Sequence, residues 1–286
     1  GVVGCGLMGS GIAEVAAKSG FDVMVREVDD EVLERGKNRI RESMDRAVKK
    51  EKMTLTEQEA AWDHLHFTAE VSELESADIV IEAIIESLDA KAKLFHELDI
   101  LCPEHTMFAS NTSSLTVTDI AAATSRADRF VGLHFFNPVP VMRLVEVVRT
   151  IATSQETVDR AVQFSKALGK VPIAAKDNSG FVVNLLLVPY LLDAIRQLEH
   201  GVATVEDIDA AMALGLGYPM GPFILCDFVG IDTLHQISEI MFDEYRDPRY
   251  APPPLLKRIV TMGRFGRKSG KGFYDWSGEK PIALPV

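Results

Sequence analysis

From residue 1 to about 175, short apolar runs of strand length alternate with longer runs whose apolar positions recur at helical spacing. "VVG" at 2–4 is followed by a helical pattern from about Met8 to Ser19 and then by "DVMVRE", which ends in charge, so the chain begins β-α-β. A long helix comes next, its apolar stripe marked by Leu33, Ile40, Met44 and Val48, and "TEQE" at 56–59 has the form of a capping box that starts another. Strand patterns then fall on "DIVIEAI" (78–84), "TMFAS" (106–110), "RFVGLHF" (129–135), "RLVEVV" (143–148) and "KVPIAA" (170–175), most of them with a helix between. This alternation predicts an α/β domain on a doubly wound, mainly parallel sheet with helices on both faces. After "KDNSGF" at 176–181 only helical patterns remain, over 181–199, 204–214, 222–245 and 254–263. The change of rhythm sets an expected boundary near residue 178, between an N-terminal α/β domain (1–178) and an all-α C-terminal domain (179–286).

Composition narrows the classes of partner. With 286 residues, 47% of them hydrophobic, the chain can build a full core. A net charge of -12 argues against nucleic acid or an anionic membrane as the main partner, while leaving room for a local basic patch. Cys5, Cys102 and Cys226 are odd in number, scattered and without metal-like spacing, which points to a reducing compartment such as the cytoplasm rather than to a disulfide framework or a zinc site. The longest near-continuous apolar stretch, "GFVVNLLLVPYLL" at 180–192, falls short of the ~20 residues a bilayer span needs. It also holds an Asn and a Pro, so it reads as a buried helix. The chain opens inside a strand pattern with no signal peptide ahead of it, so its start reads as clipped.

"GCGLMG" at 4–9 is G-x-G-x-x-G between a strand and a helix, where Gly4, Gly6 and Gly9 would permit a tight turn, close approach of a pyrophosphate, and tight helix–strand packing. Glu27 lies at the end of the second strand, where an acid can accept hydrogen bonds from both ribose hydroxyls, and the two features together predict a Rossmann-like dinucleotide site. The same carboxylate would repel a 2′-phosphate, so NAD is favoured over NADP; Arg26 is expected to point to the opposite face of the strand.

"GLHFFNPVPVMRLVEVV" at 132–148 carries His134 in one apolar run and Glu146 in the next. A lone His on an apolar strand is ordinarily a satisfied core residue, but His134 falls at the carboxyl end of a predicted parallel strand, beyond which ligands bind in open α/β sheets. Asn137 follows it, and Glu146 could hold the imidazole in one tautomer and stabilise its cation, which makes the pair an acid/base dyad. In "ASNTSSLTVTDIA" (109–121), Ser113, Ser114 or Thr116 either caps the coming helix or offers a hydroxyl to a substrate oxygen. Residues 35–52 hold eight Lys or Arg against three acids, and Ser43, Arg46 and Lys50 share one helical stripe, either a solvated face or a contact for a phosphate-rich tail.

Taken together, "GCGLMGSGIA", "SNTSSL", "GLHFFNPVPVMRLVEVV", "DNSGFVVN", "GLGYPMGP" and "GRKSGKGFYDW" resemble the L-3-hydroxyacyl-CoA dehydrogenases over nearly the whole chain, and the length is similar to the short single-function 3-hydroxybutyryl-CoA type. The resemblance implies that His134 is the general base and Glu146 its partner, with Ser113, Asn137 and Asn184 around an acyl-CoA substrate. It implies an NAD site formed by Gly4, Gly6, Leu7, Met8, Gly9, Glu27 and Asn111, with Glu86 and Lys91 approaching the nicotinamide-side ribose. It also implies that Ser43 and Lys50 touch the coenzyme A tail and that the helical domain forms a homodimer. One departure is Leu185, where many relatives have Arg. Two other classes share parts of this pattern: a dehydrogenase of a small hydroxy acid or sugar acid, and a non-catalytic NAD(H)-binding scaffold.

Overall fold

The computed structural model describes residues 1–285, which fall into two compact units, Gly1–Phe181 and a second from Val182 onward. The first unit is built on an eight-stranded sheet: β1 (Val2–Val3), β2 (Val23–Arg26), β3 (Leu65–Thr68), β4 (Ile79–Glu82), β5 (Met107–Ser110), β6 (Phe130–Phe135), β7 (Leu144–Arg149) and β8 (Val171–Lys176). In space the strands run β3-β2-β1-β4-β5-β6-β7-β8. All neighbours are parallel except β6 and β7, so the last two strands run against the first six. Strand order reverses between β1 and β4, and the crevice beyond the carboxyl ends of the strands at such a switch point is where an open α/β sheet takes a ligand.

Six helices complete this unit: α1 (Leu7–Lys18), α2 (Asp30–Lys49), α3 (Leu55–Asp63), α4 (Leu88–Leu101), α5 (Val117–Ala121) and α6 (Gln155–Ala167). Asp29 starts α2 by accepting from Val32 N at 2.8 Å, and Asp30 and Glu31 in the first turn favour the positive end of the helix. Its buried stripe is Leu33, Gly36, Ile40 and Met44, of which Ile40 and Met44 join Ile12, Ala13 and Val25 in one core, while Leu94, Phe95, Leu98, Phe108 and Phe130 form another. Phe95 and Phe130 meet edge to face with centroids 4.6 Å apart.

Several details depart from the sequence pattern. The capping box of α3 is Thr54 with Glu57, two residues before the expected one, because T-x-x-E occurs twice in overlapping register and the earlier copy gives the longer helix. Strand β3 escapes the apolar-run criterion because it is the sheet's edge and only Leu65 in it is fully buried.

The second unit holds α7 (Val183–Glu199), α8 (Val205–Leu216), α9 (Pro222–Val229), α10 (Ile231–Tyr245) and α11 (Pro254–Thr261). The single helix expected over 222–245 is two, broken at Gly230, whose φ of +99° no helix accommodates. The unit is also not all helix, since a short antiparallel pair, β9 (Tyr274–Asp275) and β10 (Ile282–Ala283), closes it. Two-residue strands carry no periodicity for a sequence pattern to register. "GRKSGKGFYDW" wraps the buried Asp227, whose carboxylate accepts from Phe273 N (2.9 Å), Tyr274 N (2.9 Å) and Trp276 Nε1 (2.8 Å). Gly272 is obligatory there, because a Cβ would lie 2.0 Å from Asp227 Oδ1. Among the described residues no helix is long and apolar enough to cross a membrane.

Candidate active site

The glycine-rich turn joins β1 to α1 and has the features its three glycines predict. Gly4 has φ +92°, and a Cβ on it would meet Ala83 O at 2.6 Å. A Cβ on Gly9 would fall 1.7 Å from Gly4 O, so the helix can begin this close to the strand only with hydrogen there. Gly6 has no protein atom within 4 Å of where its Cβ would be, which leaves open space over the backbone. It is also the N-cap of the twelve-residue α1, offers no side-chain acceptor to the first-turn N–H groups, and is followed by no acid in that turn. Free donors, a positive helix end and open space fit a pyrophosphate. Leu7 is exposed and Met8 half-buried beside it.

Glu27, just past β2, is buried and accepts from Cys5 N at 2.5 Å and from Val28 N at 3.0 Å. The carboxylate therefore sits at the lip of the glycine turn, where a ribose bound to that turn would meet it. Arg26 turns away, its Nε donating to Ala69 O beyond the β3 edge at 3.2 Å.

Further polar groups gather at the carboxyl ends of β4, β5 and β6, which follow β1 in the sheet. Lys91, on α4 and 1% exposed, lies 2.5 Å from Glu82 Oε1 and 3.2 Å from Glu86 Oε2. Glu82 also accepts from Ser110 Oγ (2.6 Å) and Ile84 N (2.7 Å), and Glu86 accepts from Thr112 Oγ1 (2.5 Å), Ser114 Oγ (3.0 Å) and Ser113 N (3.3 Å). Burial raises the carboxyl of Glu82 above its ordinary range, with Lys91 and the hydrogen bonds offsetting it only in part. For Glu86 burial acts the same way but loses to Lys91 and the Thr112 and Ser114 hydroxyls, and the carboxyl titrates below its ordinary range. Glu82 was not picked out by sequence reasoning, although an acid inside "DIVIEAI" carries the same signal as Glu146 in its apolar run. Asn111 closes this edge, its Oδ1 accepting from Phe135 N at 2.9 Å.

No Ser or Thr of "SNTSSL" caps α5. Its N-cap, Thr116, makes no side-chain capping bond, and the first-turn donors go to Asp177, which accepts from Val117 N at 2.8 Å and Thr118 N at 2.6 Å. A carboxylate arriving from the end of β8 outcompetes hydroxyls for those donors.

His134 and Glu146 are direct partners in the antiparallel β6–β7 register. Their side chains lie on the same face, with Nδ1 and Oε2 2.6 Å apart, His134 6% exposed and Glu146 fully buried. A carboxylate acceptor at that distance holds the imidazole proton on Nδ1, so the lone pair of the neutral ring is on Nε2. Phe136 and Phe181 flank the ring at centroid distances of 4.4 and 5.6 Å. Asn137 is exposed just past the strand. On α2 Ser43 is half-buried and Arg46 exposed, and Lys50, the C-cap of that helix, is exposed as well. Asn184 is a buried residue of the first turn of α7, in the second unit.

An oriented imidazole base and a dinucleotide turn, both at the carboxyl ends of parallel strands of one sheet, suit hydride transfer coupled to proton transfer. Residues 1–178 match the family model for the 3-hydroxyacyl-CoA dehydrogenase NAD binding domain, and residues 180–276 match that for the 3-hydroxyacyl-CoA dehydrogenase C-terminal domain. The chain belongs to the 3-hydroxyacyl-CoA dehydrogenase family. It is an NAD-dependent dehydrogenase of that family. A 3-hydroxybutyryl-CoA dehydrogenase of Mycobacterium tuberculosis is 50% identical, over 96% of this chain and 97% of that protein. The human mitochondrial hydroxyacyl-coenzyme A dehydrogenase is 49% identical, over 96% of this chain and 90% of that one. The crystal structure of (S)-3-hydroxybutyryl-CoA dehydrogenase PaaH1 from Ralstonia eutropha is 42% identical, with a TM-score of 0.92 and coverage of 97% of this chain and 98% of that one.

Proposed function

We propose that the protein interconverts (S)-3-hydroxybutyryl-CoA and acetoacetyl-CoA with NAD(H), as a step of fatty-acid metabolism. The observation that carries the chemistry is the buried His134–Glu146 pair, because it gives an imidazole of defined tautomer at the carboxyl end of the sheet. In the oxidative direction His134 Nε2 takes the proton of the substrate 3-hydroxyl while the C3 hydrogen departs as hydride and the C3–O bond becomes a carbonyl. Bound NAD supplies the hydride acceptor, C4 of the nicotinamide. Glu146 stabilises the imidazolium as it forms, and positioned proton transfer of this kind typically supplies on the order of 100- to 10,000-fold in rate.

Around that centre Ser113, Asn137 and Asn184 hold the acyl group, and Ser43 and Lys50 meet the coenzyme A tail. The glycine turn, with Leu7 and Met8, seats the pyrophosphate; Glu27 takes the adenine-side ribose; Glu86 and Lys91 take the nicotinamide-side ribose, and Asn111 lies beside it. The helical unit forms the contact of a homodimer. The short acyl chain is supported by the names of the M. tuberculosis and R. eutropha relatives. A kinetic series of 3-ketoacyl-CoA thioesters from four to sixteen carbons, each with NADH and NADPH, tests the reading. The highest kcat/KM is expected for acetoacetyl-CoA with NADH. A maximum at eight carbons or more would refute the short-chain assignment.

A further inference from the structure

The residue between the first two glycines is held by two opposite charges. Cys5 N–H donates to Glu27, and Cys5 C=O accepts from Arg39 Nη1 at 3.0 Å. The carboxylate and the guanidinium thus sit at the two polar ends of one residue. Helix α2 brings Arg39 there: a Cβ on Gly36 would lie 2.4 Å from Cys5 Sγ, so the helix touches the turn at Gly36, and Arg39 is one turn further along the same face. Burial, with Glu27 beside it, pushes the Cys5 thiol up to about 12, so the thiol adds no charge to this lip. Among the described residues no carboxylate lies within 4.0 Å of the Arg39 guanidinium, whereas Arg35 and Arg46 of the same helix each have one.

We infer that Arg39 is a second determinant of cofactor choice: a cation already poised at the lip of the turn to bind a 2′-phosphate on the adenine-side ribose, and denied that role only by Glu27. This rests on the reading of Glu27 as the ribose acceptor. An arginine fork matches a phosphate monoester in geometry, and the Glu27 carboxylate at the other end of Cys5 repels the phosphate. Arg26, although next to Glu27 in sequence, is committed to the β3 edge and takes no part.

The test is a set of dissociation constants for NADH and NADPH, read from nucleotide fluorescence without turnover. It uses the wild type, Glu27→Ser, Glu27→Gln, and each of these combined with Arg39→Ala or Arg26→Ala. Glu27→Gln retains an oxygen for Cys5 N–H, so it tests loss of charge should the serine variant not fold. Removing the carboxylate should weaken NADH and shift the NADPH-to-NADH preference by about 10- to 100-fold, the scale of a charge-assisted contact. Arg39→Ala should abolish most of that gain, and Arg26→Ala should preserve it. Unchanged NADH affinity in both Glu27 variants would refute the ribose reading of Glu27 and the inference with it. Weakened NADH with a gain in NADPH that survives Arg39→Ala, or with no gain, would refute the role of Arg39 alone.

Discussion

Replacing Glu146 with Gln removes one charge from the His134–Glu146 pair and leaves an oxygen able to accept the Nδ1 proton, so it isolates the electrostatic part of the dyad. With Nδ1 and Oε2 2.6 Å apart, the centres of the imidazolium and carboxylate charges are about 4 Å apart, an attraction of about 4 kcal/mol at an effective dielectric of about 20. The imidazolium is only partly formed in the transition state, so roughly half to three quarters of this is felt there, or about 2–3 kcal/mol. Glu146→Gln should therefore lower kcat by about 100-fold, with a modest change in NADH affinity, since neither residue is part of the glycine turn. The assay is steady-state reduction of acetoacetyl-CoA beside a fluorescence titration with NADH, and a thermal melt confirms that the variant is folded. His134→Ala should be at least as damaging. A folded Glu146→Gln enzyme within about threefold of wild-type kcat would reduce Glu146 to a structural neighbour and remove the basis for the proposed mechanism.

Gly9→Ala, which puts a methyl 1.7 Å from Gly4 O, should distort the turn, weaken NADH by at least about 10-fold in the same titration and lower the melting temperature; wild-type affinity would show that the turn does not bind the pyrophosphate. Lys50→Ala should raise KM for acetoacetyl-CoA with kcat little changed, and should leave an acetoacetyl-pantetheine substrate unaffected, because that lacks the nucleotide phosphates; equal impairment of both substrates would assign Lys50 to the fold. Asp227→Asn confronts three donors with one acceptor oxygen and an amide NH2, which should destabilise the helical unit by about 2–3 kcal/mol and lower its melting temperature by roughly 10–20 °C, read by calorimetry. Glu86 titrates below its ordinary 4.5, so its ionised form stabilises the fold above that pH, and the contribution is lost as pH falls through the lowered value; the stability gap between wild type and Glu86→Gln should accordingly be full at neutral pH and close below about 4.5, as urea titrations at several pH values would show.

The alternation of apolar strands and amphipathic helices, with G-x-G-x-x-G at the first turn, determined an α/β dinucleotide fold from the sequence alone, since each is a local pattern tied to backbone geometry. The helical character of the C-terminal region was legible for the same reason, while the break at Gly230 was not, because an isolated glycine does not declare in sequence whether it will be asked for a positive φ. Burying a charged residue in an apolar run requires a partner, so the sequence could name His134 and Glu146 as a candidate pair. Only the antiparallel turn of β7 against β6, inside a sheet otherwise parallel up to that point, decides that they face each other in register rather than point to opposite faces. The capping of α5 by Asp177 and the meeting of Arg39 with Cys5 likewise join residues 59 and 34 positions apart or more in the chain. Such contacts depend on how strands stack and helices lean, and the free energy that selects them comes from burial of surfaces no local window contains.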